Sequence, residues 1–291
     1  AGNLDPFEGI RDLADRARGW FPLAFENGGR PLPSEPAFAH AFSGLVMLAD
    51  WIGSDERSFR FSHAEDGERI AFARETARSF LRQAGIDATS SRSTLEATPN
   101  FSAVFEGYAP RPAQAELASL PVPRSGPSLT ILEAETGAGK TEAALFRFLL
   151  LFHAGAVDGM YFALPTRTAA TQIYRRIKES VERAFPDPVS RPPVVLAVPG
   201  YLEVDGVEGQ RSLLSRFEVL WNDDDADRFR YRGWAAENTK RYLAAPIAVG
   251  TIDQVLLSSL RVSHAHLRAT SLLRQFLVVD EVHASDAYMT K

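Results

Sequence analysis

Apolar residues recur with two different rhythms on either side of residue 100. Before it the period is helical. In "HAFSGLVMLADWIGS" (40–54) apolar side chains run around most of a helical wheel, which predicts a helix buried on nearly all sides. In "ERIAFARETARSFLRQAGI" (68–86), Ile70, Ala73, Ala77, Phe80 and Ala84 recur at steps of three and four, the stripe of an amphipathic helix, with Gly85 placed to cap it. "DATSSRSTLEATPNF" (87–101) has no apolar period and is rich in Ser and Thr, so a linker is expected there.

Beyond Phe101, short apolar runs alternate with helical stretches. "SLTILEA" (128–134), "MYFALPT" (160–166), "VVLAVPG" (194–200), "IAVGT" (247–251) and "FLVVDE" (276–281) are expected to be buried parallel strands, with helices at 141–153 and 168–184. This alternation predicts an α/β fold with a doubly wound parallel sheet, whose ligands gather at the carboxyl ends of the strands. "WNDDDADRFRYRGW" (221–234) breaks the rhythm and is expected to be a surface insertion. No internal repeat is present.

Composition adds limits. The chain has 291 residues, enough for one large domain or two ordinary ones. It contains no cysteine, which excludes disulfides and thiolate metal sites and fits a cytoplasmic setting. The longest apolar run, "LFRFLLLF", is short and carries Arg147, so no membrane span is expected. A net charge of -5 argues against a bulk nucleic-acid coat, though not against a local track. "AGNLDPFEGI" has neither an initiating methionine nor a signal peptide and reads as an interior cut.

Two stretches carry chemistry. "EAETGAGKTEAA" (133–144) places a Gly-rich turn between an expected strand and a helix beginning near Lys140. Backbone N–H groups of Thr136, Gly137, Ala138 and Gly139 can cradle phosphate oxygens, helped by the positive end of the helix dipole. Lys140 would reach the β- and γ-phosphates of ATP, and the Thr141 hydroxyl would ligate Mg²⁺. Ala134 stands where the strict phosphate-loop pattern has its first glycine. In "FLVVDEVH", Asp280 ends a strand and would hold Mg²⁺; Glu281 would orient or deprotonate the attacking water. Either stretch alone has a bland alternative, a chance lysine or a capped strand. Together they predict nucleotide hydrolysis.

"AETGAGKT" and "DEVH" resemble motifs I and II of superfamily-2 helicases, "ALPTRTAATQIYRRI" (163–177) resembles motif Ia, and "VGTIDQVLLSSL" (249–260) resembles motif Ib. "YAPRPAQAEL" (108–117) resembles the Q motif, which implies that Gln114 recognises adenine. Thr166 and Arg167, and Thr251 and Gln254, then become candidates for contacts with a nucleic-acid backbone; helix capping is the plain alternative for the threonines. Over residues 40–291 the ordered set, above all "VGTIDQ" and "DEVHASDAYM", is similar to the CRISPR-associated helicase-nuclease of type I systems.

That resemblance implies a RecA-like first helicase lobe at 96–291, truncated after motif II, and the helical remnant of an HD-type nuclease domain at 1–95. It also implies single-stranded DNA as substrate, an RNA-guided surveillance complex as partner, and a divalent transition metal held in the HD site. Asp50 in "LADWIGS" matches the family's last metal ligand, with Ser43 on the same stripe. The chain has no His-Asp dipeptide, so the remaining ligands are expected elsewhere. His40 reads as structural, His63 as solvated, His153 as a helix cap, "HAH" (264–266) as a helix end, and His283 as part of motif II. The expected chain binds nucleotide weakly and hydrolyses it poorly, for want of a second lobe. Other classes also fit: another superfamily-2 translocase such as a restriction motor, a P-loop kinase, or a nucleotide-gated binding module.

Overall fold

The computed structural model describes residues 5–26, 28–29, 31–60, 66–95, 98–123, 126–213, 216–218 and 231–282. Its strands, in chain order, are β1 (Gly159–Leu164), β2 (Val194–Ala197), β3 (Glu203–Val204), β4 (Val207–Glu208), β5 (Gln210–Leu213), β6 (Arg216–Glu218), β7 (Ile247–Thr251) and β8 (Gln275–Val279). Six of them form one sheet in the order β4-β3-β2-β7-β1-β8. The run β2-β7-β1-β8 is parallel, and β3 and β4 extend it as an antiparallel edge, so the expected parallel sheet is in fact mixed. A tyrosine–glycine contact fixes one register: Gly250 leaves room for the Tyr161 hydroxyl, which donates to the Thr251 carbonyl at 3.0 Å.

Every residue of β1, β2 and β7 is buried, because both faces of the sheet are covered. The two-residue period sends Met160, Phe162 and Leu164 to one face, where the helices Lys140–His153 and Arg167–Ala184 supply Phe148, Phe152, Tyr174 and Ile177. Tyr161, Ala163 and Val195 point to the other face, against Trp234, Tyr242, Phe80 and Ile52. The last two belong to the amino-terminal helices Asp66–Gln83 and Pro36–Gly53. Gly85, with φ +72°, ends the first of these as expected and lies against Pro193 and Pro246.

Four expectations are corrected. Segment 128–134 pairs with no strand among the described residues; Leu129 is 88% and Ile131 78% exposed. An apolar run becomes a strand only where a neighbour completes its ladder, and β8 closes the sheet on its side among the described residues. The helix Pro36–Gly53 buries only Gly44 and Ile52, leaving Phe42, Leu45 and Val46 about half exposed, because it packs mainly along one stripe against helix Ala265–Ser271. The supposed linker holds a short helix, Ala88–Arg92, capped by Asp87 and pinned where Arg92 donates to the Phe152 and Val157 carbonyls and to Asp158. In the supposed insertion Trp234 is wholly buried, while 221–230 lie outside the described residues.

Candidate nucleotide and nucleic-acid site

The phosphate loop is built as its glycines require. Gly137 (φ +79°) and Gly139 (φ +83°) occupy the left-handed region, and Gly139 is the N-cap of helix Lys140–His153. Lys140 Nζ donates to the Ala134 carbonyl at 2.9 Å and the Glu135 carbonyl at 3.4 Å, and the Ala138 N–H reaches that same Glu135 oxygen at 3.1 Å. An ammonium and a backbone N–H thus converge on one oxygen, the arrangement that suits a phosphate oxygen. The loop's donor set therefore fits a nucleotide polyphosphate. Thr136 is exposed, and Thr141 sits half-buried in the helix's first turn.

Gln114 is buried at the start of helix Pro112–Ser119. Its Oε1 accepts from the Arg111 N–H at 2.8 Å and its Nε2 donates to the Gly139 carbonyl at 3.0 Å. Each end of the carboxamide keeps one further bonding direction, but at 6% exposure the side chain offers a base edge little surface in this state. Arg111 Nη1 donates to the Gly137 carbonyl. Sequence reasoning passed over this arginine; a long cation at an N-cap, where short polar residues prevail, is the signal that marks it.

Asp280 follows β8 directly, its N–H bonded to the Ala163 carbonyl at 3.0 Å, and Glu281 turns out of the strand with φ +55°, its N–H on Asp280 Oδ1 at 2.9 Å. The helix that begins at Lys140 packs on β8, the strand that runs into Asp280. Phe148 stacks on Phe276, with centroids 6.5 Å apart. From that contact, eight helical residues back to Lys140 span about 12 Å. Four strand residues on to Asp280 span about 13 Å. Thr141 and Asp280 supply hard oxygen donors of the kind Mg²⁺ takes. No group of three or more His, Cys, Asp or Glu suited to a metal occurs among the described residues.

The carboxyl ends of β1 and β7 are neighbours, Leu164 pairing with Thr251, so Thr166 and Arg167 lie beside Thr251 and Gln254. Their environments differ. Thr166 Oγ1 accepts from the Ala169 N–H as a helix cap, and Arg167 is exposed. Thr251 and Gln254 are 5% and 6% exposed, which leaves their side chains little surface in this state.

Asp50 and Ser43 are both exposed on helix Pro36–Gly53, and Asp50 alone does not make a metal site. His40 stacks on His266, with ring centroids 3.9 Å apart, so "HAH" begins a helix packed on the first helical unit. Trp51 meets His264 edge-on. His63 and His283 lie outside the described residues. No helix among the described residues is long and apolar enough to cross a membrane.

A family profile described as "Cas3, HD domain" matches residues 4–59. The chain is 32% identical over 272 residues to the CRISPR-associated endonuclease/helicase Cas3 of Escherichia coli, covering 87% of this chain and 28% of that protein. Identity to the Thermus thermophilus protein of the same name is 30%, over 95% of this chain and 30% of that one. Among solved structures, "Crystal structure of T. fusca Cas3" superposes with a TM-score of 0.64 at 30% identity, covering 96% of this chain and 30% of that one. The ATP-bound form, "T. fusca Cas3-ATP", gives 0.63 at 27% identity, over 99% and 32%. The chain spans under a third of these relatives' length and, along most of its own, is similar to the CRISPR-associated Cas3 endonuclease/helicases.

Proposed function

We propose that the chain is the portion of a CRISPR helicase-nuclease that binds ATP and grips DNA. Residues 96–291 form the first motor lobe and residues 1–95 the helical end of an HD nuclease domain. One observation supports this reading: left-handed Gly137 and Gly139 lead into a helix packed on β8, the strand before Asp280–Glu281, in a sheet whose other face carries the HD-matching helix.

Bound ATP with Mg²⁺ supplies the driving hydrolysis. Lys140 and the loop N–H groups hold its phosphates, Thr141 and Asp280 contribute metal ligands, Glu281 orients water, and Gln114 reads adenine. Thr166 and Arg167 with the backbone at Thr251 and Gln254 form the track for single-stranded DNA. Asp50 is the carboxylate this chain offers to the divalent metal of the HD site. The whole protein acts in the cytoplasm with an RNA-guided surveillance complex, unwinding and degrading DNA in antiviral defence.

The test is Glu281→Gln in the full-length protein. It should keep Mg²⁺-dependent ATP binding within about threefold while turnover falls by about a hundredfold or more, as for other residues acting only in the transition state. Unchanged turnover would remove Glu281 from the hydrolytic step, and no turnover in either protein would favour non-hydrolytic, nucleotide-gated binding.

A further inference from the structure

We infer that Arg111 is a positioning residue of the phosphate loop, setting the direction of its donors; this rests on the nucleotide-binding reading above. Gly137 has no Cβ and lies at φ +79°, so sterics alone leave its peptide free to turn. A turn bond within the loop, from the Ala138 N–H to the Glu135 carbonyl at 3.1 Å, holds one side of that peptide, and a contact from outside holds the other. Arg111 Nη1 holds the Gly137 carbonyl, and Gln114 Nε2 holds the Gly139 carbonyl at 3.0 Å.

In a trans peptide the carbonyl of one residue and the N–H of the next point to opposite sides of the chain. No cis peptide occurs among the described residues. Fixing the Gly137 oxygen toward Arg111 therefore sends the Ala138 N–H the other way. It goes to the Glu135 oxygen at 3.1 Å, where Lys140 Nζ also arrives at 3.4 Å. That shared oxygen takes the bonds a phosphate oxygen would take, so the clamp keeps these donors aimed at the phosphate seat.

The clamp is itself braced. The Arg111 N–H donates to Gln114 Oε1 at 2.8 Å, so the two side chains act from one fixed helix start. Closeness matters at the second contact, since a Cβ on Gly139 would come within 2.1 Å of Gln114 Nε2. The two residues nevertheless separate in role. Gln114 retains bonding capacity for a base, whereas Arg111 acts on the loop, and hence on phosphate, alone.

Titrating a fluorescent ATP analogue on the full-length protein, with ATP and ITP as competitors, tests the division. ITP lacks the 6-amino group that a glutamine reads. Arg111→Ala should weaken ATP and ITP equally, by about tenfold, with their ratio unchanged, and Arg111→Lys should recover most of the loss. Gln114→Ala should narrow the preference for ATP. Arg111→Ala binding within twofold of wild type, or a changed ATP to ITP ratio, would overturn the inference. Lys140→Ala is the control: if it binds like wild type, the nucleotide-binding reading fails and takes the inference with it. A Lys140 effect without an Arg111 effect defeats the inference alone.

Discussion

The hydroxyl of Thr270 donates to the backbone carbonyl of Ala41 at 2.9 Å, tying the helix that leads into β8 to the helix that matches the HD family. The tie depends on Gly44. A Cβ there would stand 2.1 Å from Thr270 Oγ1 and 2.2 Å from the His266 carbonyl. Alanine in a helix interior normally gains up to about 1 kcal/mol over glycine, but a helical backbone carbonyl cannot move aside cheaply. Gly44→Ala should therefore destabilise the chain by about 1–3 kcal/mol, measured as a lower urea midpoint. A raised midpoint would show that the two helices are not in this contact.

A second tie is ionic. Glu237 accepts from Arg57 at 3.0 and 3.1 Å and lies 3.4 Å from Arg241, with side-chain exposures of 10%, 29% and 12%. Burial above all pushes the Arg241 guanidinium down to about 10, against the pull of Glu237. Glu237→Ala would strand that charge, while Arg57 would keep Asp55 at 2.7 Å. The expected cost is about 3 kcal/mol, the lower end for a broken buried pair. A change under about 0.5 kcal/mol in equilibrium unfolding would place this network in solvent.

Asp158 sets an acid limit. Burial alone raises its pKa, but hydrogen bonds from Arg274 and Arg92 outweigh burial and hold the carboxyl below its ordinary value. A depressed folded pKa means that the stabilisation is complete above the unfolded value of about 4 and drains away as pH falls through the folded one. Melting temperatures at pH 6 and pH 3 should thus converge in Asp158→Asn relative to wild type. An equal drop in both proteins would remove Asp158 from the acid transition.

On the proposed reading, substitution at Asp50 should separate two activities of the full-length protein. Asp50→Asn should abolish metal-dependent DNA cleavage while leaving DNA-stimulated ATP hydrolysis within about twofold, because the residue stands on the helical unit and not at the strand ends. Retained cleavage would mean that the metal takes its carboxylates elsewhere.

Much of this architecture was legible from period and spacing. Runs at 160–166, 194–200 and 247–251 are buried strands because each has neighbours on both sides. The left-handed turn at Gly137 and Gly139 and the strand end at Asp280 were legible because glycines and a carboxylate after an apolar run mark such places. What misled was context. The run at 128–134 has the composition of a strand without a partner. The apolar helix at 40–54 has the composition of a core without neighbours on most of its surface. Trp234 lay hidden in a polar-looking stretch, since burial on the sheet's second face depends on chain distant in sequence. Arg111 escaped because its contact, a carbonyl 26 residues away, shows locally only as a cation at a helix N-cap.

The proposed motor couples ATP hydrolysis to single-stranded DNA. The most direct measurement is steady-state ATP hydrolysis by the full-length protein with single-stranded DNA, with single-stranded RNA, or with neither, using Lys140→Ala as the blank. The account predicts strong stimulation by DNA alone, lost in the variant. Turnover indifferent to both nucleic acids would contradict it and favour phosphoryl transfer to a small molecule.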